Sequence, residues 1–154
     1  MSDAQIREGN TRTGFSLLYN ELFDLYHDYI GDKALLYYAY LLRYRNTEKG
    51  SELYGKSWRG RRGVVEKFQF SYSALPLLDD VLVCAGLIDI ETKPCGRGRE
   101  KIFYIVHDPK TREEFREDEA DIKRKLLALI EEKSGARSIV GKAVKPKRKT
   151  RTTS

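Results

Sequence analysis

Apolar residues recur at helical spacing early in the chain. Leu22, Phe23, Tyr26, Tyr29 and Ile30 share one face of a predicted helix over residues 21–30. Asn20 suits its N-cap and Gly31 its stop. Asp32 then caps a second predicted helix, residues 33–45. From Ala34 to Leu42 every residue is apolar or tyrosine, the pattern of a helix buried on most sides, in a core or in an oligomer interface. We read Tyr37, Tyr38, Tyr40 and Tyr44 as core aromatics with hydroxyls at the surface. The alternative is a platform for stacking bases.

Residues 46–63 break the pattern. They form a glycine-rich loop around Trp58, read either as functional or as solvated with Trp58 folded back on the core. Val64, Val65 and Phe68 suit a short helix over 64–70. Ser71 or Ser73 caps the next helix, Pro76 fits its first turn, and Leu75, Leu78, Val81, Leu82 and Ala85 give its buried stripe. Gly86 occupies the stop position. Alternating patterns over 87–92 and 101–106 then predict two strands joined by the turn Pro94-Cys95-Gly96-Arg97-Gly98.

Asp108-Pro109 ends the second strand, and Thr111 to Glu114 matches a capping box. A long helix follows to about residue 133, with a stripe of Phe115, Ile122, Leu126, Leu129 and Ile130. Glu119–Lys123 and Asp121–Lys125 are favourable pairs on its surface. That helix either joins a partner or packs on its own domain. From Ser134 the chain is polar and basic, a composition that predicts disorder.

The expected fold class is α+β, mainly α. A helix that stops at glycine and runs into a β-hairpin predicts a winged helix-turn-helix, with a two-stranded β-wing and an additional C-terminal helix. The predicted division is a flexible arm over 1–14, the winged-helix domain over 15–108, the helix over 109–133 and a disordered basic tail over 134–154.

The 154 residues suffice for one domain with a full core. No apolar run reaches a membrane span and no export signal is present, so the cytoplasm is the expected location. Cys84 and Cys95 are too few for a disulfide framework or a zinc site, and read as two free thiols, one in the core and one in a loop. His27 and His107 stand outside any catalytic motif, and Asp79 and Asp80 point to different helix faces, so we expect no enzyme, no metal and no cofactor.

The net charge of +6 matters less than its distribution. Acids concentrate over residues 113–121. Cations gather in a loop cluster of Lys56, Arg59, Arg61 and Arg62, and in a wing cluster of Lys93, Arg97, Arg99 and Lys101. A tail cluster holds Lys145, Lys147, Arg148 and Lys149. These are the candidate DNA-binding residues, with Tyr72 and Ser73 at the front of the expected recognition helix. That helix carries Asp79 and Asp80 and no cation, so wing and loop are expected to dominate any DNA contact.

Three segments, FSLLYNELFDLYHDYIGDKALLYYAYLLRYR, SALPLLDDVLVCAGLIDI and the wing after them, carry a family resemblance. The run from Phe15 to Ile90 resembles the N-terminal winged-helix domain of DnaD-type bacterial replication initiation proteins, and of related phage replisome organisers and plasmid initiators. The resemblance covers about half of the chain. It implies binding to duplex or single-stranded DNA, a homo-oligomer, contact with other replication proteins, and a role in starting DNA replication. An oligomerisation or adaptor module and a transcriptional repressor are the alternatives.

Overall fold

The computed structural model describes residues 4–7, 9–10, 18–43, 45, 56–57, 60–94, 96–98 and 100–145. Within them the chain is mainly helical with one small antiparallel sheet. The π-helical turn Leu22–Tyr26 leads into α1 (His27–Arg43). Then come β1 (Lys56–Ser57), α2 (Gly60–Phe68), α3 (Ala74–Cys84), β2 (Ile88–Pro94), β3 (Glu100–Val106) and α4 (Arg112–Glu132). A 3-10 turn, Ser134–Ser138, follows.

The two helices expected over 21–30 and 33–45 are both present, separated by a kink at Gly31, whose backbone is not helical (φ 82°, ψ 176°). A residue with a Cβ could not sit there, because that atom would fall 2.0 Å from the Ile139 carbonyl oxygen. Leu22, Tyr26, Tyr29 and Ile30 are buried as their spacing requires, but Phe23 is 50% exposed. The π-helical winding alters the angular step between residues and turns Phe23 off the stripe.

Beyond the break, Ala34, Tyr37, Tyr38 and Leu41 are buried. Their tyrosine hydroxyls are not at the surface. Tyr37 Oη donates to Asp79 Oδ1 at 2.6 Å, and Tyr38 Oη to the His107 carbonyl at 2.5 Å. A phenol inside a core needs an acceptor, and the fold supplies one to each.

The segment expected to be loop is partly ordered. Lys56 and Ser57 pair with Ile105 and Tyr104, giving a three-stranded sheet in the order β1-β3-β2. Helix α2 begins at Gly60, ahead of the expected 64, and buries Val64. The stripe on α3 is buried as predicted, and Gly86 carries φ 75° at its stop. Ser73 is the N-cap residue and makes no capping bond with its side chain, while Ser71 Oγ accepts from the Ala74 N–H at 3.2 Å. The β2–β3 register runs from Ile88 opposite Val106 to Pro94 opposite Glu100.

Helix α4 opens on the predicted capping box of Thr111 and Glu114. Phe115 packs edge-on against Tyr26 and Tyr29 of the first helical segment, at centroid distances of 4.8 and 5.7 Å. Lys125 meets Asp121 at 3.1 Å as expected, whereas Glu119 pairs with Arg116 at 2.8 Å and accepts from Tyr29 Oη at 2.5 Å. Lys123 forms no close ion pair with Glu119 but lies near enough for its charge to help the Tyr29 and Arg116 bonds lower the Glu119 pKa.

The largest departure lies after residue 133. The disorder expected over 134–154 does not hold for 134–145. Ala136, Ile139, Val140 and Val144 are buried. The Gly141 and Ala143 N–H groups donate to the carbonyls of Tyr29 and Asp28, at 2.9 and 2.8 Å. These carbonyls lie just before the break in α1, where helical partners are missing. A Cβ at Gly141 would fall 2.3 Å from the Asp28 oxygen, so the approach depends on glycine.

Residues 4–7 and 9–10 of the expected arm are exposed and without regular structure, and Leu18 is exposed. The rest of the arm, Phe15, Tyr44, Trp58, Arg59, Cys95, Arg99, Lys147, Arg148 and Lys149 lie outside the described residues.

Candidate nucleic-acid interface

Of the wing cations, Lys93 and Arg97 are exposed on the hairpin. Gly96, Arg97 and Gly98 take φ of 80°, 54° and 71°, and all three are exposed. A left-handed arginine is uncommon, and the flanking glycines let the backbone turn tightly enough to project it. Lys93 Nζ lies 5.4 Å from the centroid of the Phe103 ring, a cation–π contact on an otherwise open strand. The register sets Lys101 directly across from Lys93.

The loop cluster is joined to this sheet. Lys56 sits on β1 opposite Ile105, near the base of the hairpin rather than its tip. Arg61 and Arg62 lie in the first turns of α2. Exposed Arg62 holds Glu66 at 3.0 Å one turn along, a pairing that raises its already high pKa. Tyr72 is close enough to bear on that charge and is 60% exposed; Ser73 is exposed beside it. Arg62, Tyr72 and Ser73 therefore form a second group.

Helix α3 itself is closed off. Of its eleven residues only Val83 is exposed, at 41%. Asp79 is 2% exposed and accepts from two tyrosines. Asp80 takes Lys133 Nζ at 2.7 Å. Cys84, half-buried, directs its thiol at the Lys125 carbonyl, and burial raises its pKa. The flank of α3 that faces away from α1 is thus covered by α4 and the turn after it. Asp79 is turned into the core and Asp80 is paired with Lys133, so neither carboxylate faces outward unpaired. Apart from Val83, what is open is the approach to its N-terminus, Ser71 to Ser73.

Lys145 is exposed but belongs to a different neighbourhood. It lines a groove of about 330 Å³ at the break in α1, together with Lys33 and Lys142. Sequence reading misses Lys33 and Lys142, because nothing in one dimension links the start of a helix to a segment more than a hundred residues later. Across the same break His27 Nε2 meets Asp32 Oδ1 at 2.5 Å, and Lys142 reaches Asp28 at 3.6 Å.

No helix among the described residues is long and apolar enough to cross a membrane. Comparison with protein-family models, with curated proteins and with solved structures finds no match to the chain.

Proposed function

We propose that this chain is a winged-helix DNA-binding protein without catalytic activity, acting in the initiation of bacterial, phage or plasmid DNA replication. The order helix, short strand, helix, helix, hairpin, with the short strand on the hairpin's second strand, supports the winged-helix reading. The observation that carries the DNA reading is the exposed cationic hairpin: Arg97 at a glycine-flanked tip, with Lys93 and Lys101 paired below it. Such a finger grips phosphates along a backbone or enters a minor groove, and contributes affinity rather than base choice. Because most of α3 is buried or half-buried, the wing leads, aided by Arg62, Tyr72 and Ser73 at the open front. The replication role rests on the resemblance of residues 15–90 alone.

Fluorescence anisotropy on labelled duplex and single-stranded oligonucleotides, over a salt series, tests the reading. Binding at low salt should weaken with a log–log slope of about −0.9 per duplex phosphate neutralised. No binding to either form at low salt would overturn it. The covered α3 favours a second reading, an adaptor whose contacts are with other replication proteins. A stable assembly indifferent to DNA would favour that one.

A further inference from the structure

We propose that the groove at the break in α1 is a binding site for a small phosphate monoester, held by Lys33, Lys142 and Lys145. The groove has a volume of about 330 Å³, at the small end of the roughly 300–1,000 Å³ of ligand sites. Backbone shapes it. Gly31 and Gly141 line it, and a Cβ on either would strike the Ile139 or the Asp28 carbonyl oxygen, at 2.0 or 2.3 Å. The Gly141 and Ala143 N–H groups bond the Tyr29 and Asp28 carbonyls and fix this segment against α1. The turn that follows closes with the Lys145 N–H on the Gly141 carbonyl at 3.2 Å. Residues three apart in such a turn are neighbours, so Lys142 and Lys145 are presented together, and Lys33 joins them from α1. The fold thus gathers the three cations without help from a ligand.

The charges choose the ligand. All three lysines are exposed, and among the described residues Lys33 and Lys145 form no ion pair. Lys142 lies 3.6 Å from Asp28, too far for a hydrogen bond, and is free to turn into the groove. Among the described residues that line the groove Asp32 alone is acidic, and His27 meets it at 2.5 Å. With His27 neutral, three lysines against one carboxylate leave two positive charges in surplus. A phosphate monoester carries about −1.5 to −2 at neutral pH and offers three acceptor oxygens, one for each ammonium. A backbone phosphodiester carries a single charge and leaves a lysine unmatched. A strand leaving the groove along the segment before the break would also pass Asp24 and Asp28. A compact dianion meets the surplus and avoids both acids.

This inference stands apart from the DNA reading, since neither the wing nor α3 lines the groove. Amide NMR titrations of the full chain with inorganic phosphate, a nucleoside 5′-monophosphate and a hexose 6-phosphate test it. Shifts should move at residues 27–33 and 138–145 and not at the hairpin, with dissociation constants on the order of 0.1–1 mM. Dimethyl phosphate should bind about tenfold more weakly or worse. Lys33→Ala with Lys145→Ala, both at exposed positions, should weaken phosphate binding about tenfold or more while the rest of the spectrum keeps its folded dispersion. Lys147→Ala, Arg148→Ala and Lys149→Ala together should leave it unchanged. No shift at the groove in about 20 mM phosphate, equal binding of the diester, or an unaffected double lysine variant overturns the proposal. So does tighter binding of a 5′-phosphorylated oligonucleotide than of the mononucleotide, which would give the groove to a DNA end instead of a small ligand.

Discussion

Tyr37 Oη donates to Asp79 Oδ1 at 2.6 Å, and Tyr104 Oη reaches the other oxygen of the same carboxylate at 3.1 Å. One buried acid thus ties α1, α3 and β3 together. Burial first, and the Asp79 charge second, hold the Tyr37 phenol protonated, so it remains a donor. The neighbouring Asp80 meets the partly exposed Lys133 ammonium at the surface.

Adjacent acids should therefore respond differently to substitution. Tyr37→Phe leaves a buried oxygen short of a donor and should cost about 1–3 kcal/mol. Asp79→Ala strands two hydroxyls and opens a void, and should cost more. Asp80→Ala removes a surface pair and should stay within about 1 kcal/mol. Urea unfolding of the three variants checks the order. Equal losses for Asp79 and Asp80 would show that the buried link does not hold the fold.

Two truncations separate structure from charge at the C-terminus. Removing 134–154 strips away the packing of Ala136, Ile139, Val140 and Val144, and frees the carbonyls of Asp28 and Tyr29. At about 25 cal/mol per Å² of apolar surface this should cost several kcal/mol and lower Tm by about 10 °C or more. Removing 146–154 deletes Lys147, Arg148, Lys149 and Arg151 and leaves that packing in place. Tm should hardly move, while affinity for DNA at low salt should fall. Thermal melts of both shortened chains decide; a 134–154 deletion that melts like the full chain refutes the packing.

The elements legible in the sequence are those with a local cause. The capping box at Thr111, the glycine stop at Gly86 and the alternation over the hairpin each act within a few residues, and the structure contains them. What escapes such reading depends on distant partners. Residues 139–145 look like a solubilising tail until the break at Gly31 supplies free carbonyls for Gly141 and Ala143 to bond. Lys56 and Ser57 look like loop until β3 offers them an edge. Asp79 reads as a surface charge because its phenol partners lie 42 and 25 residues away. The candidate site divides the same way: the wing cations lie close together in the chain and are visible in it, whereas the Lys33–Lys142–Lys145 grouping exists only after folding.

Buried phenols set an alkaline limit. Burial, then the bond to Glu119, pushes the Tyr29 pKa up to about 12, and Tyr26, Tyr37 and Tyr38 are raised chiefly by burial as well. Each folded value lies above the unfolded one near 10. Their contribution is fully present below pH 10 and is lost as pH rises towards 12 and beyond, by about 1.4 kcal/mol per pH unit for each phenol. Urea midpoints should fall steeply above pH 10. Tyrosinate absorbance should show one class ionising in the folded chain and another only on unfolding. Tyr29→Phe should make the decline shallower. A single smooth titration of all tyrosines near pH 10, ahead of unfolding, would contradict the buried hydroxyls.

The proposed wing grip gives the sharpest comparison. Arg97 sits on an exposed turn, and Lys93 keeps its place over the Phe103 ring whether or not Arg97 is present. Changing Arg97, Arg99 and Lys101 together to Ala should leave Tm within about 2 °C, since surface substitutions stay near ±0.5 kcal/mol. Duplex affinity should nonetheless drop, and the salt slope should shrink by about 0.9 for each phosphate no longer neutralised. Asp80→Ala removes a negative charge and should not weaken binding. Tyr72→Ala with Ser73→Ala tests the open front of α3: a weakening there that varies with DNA sequence would mean the first turn reads bases, whereas the wing variant should weaken all sequences alike. Should the Asp80 variant bind less well than the triple wing variant, DNA is held on α3 and the hairpin is not the gripping element.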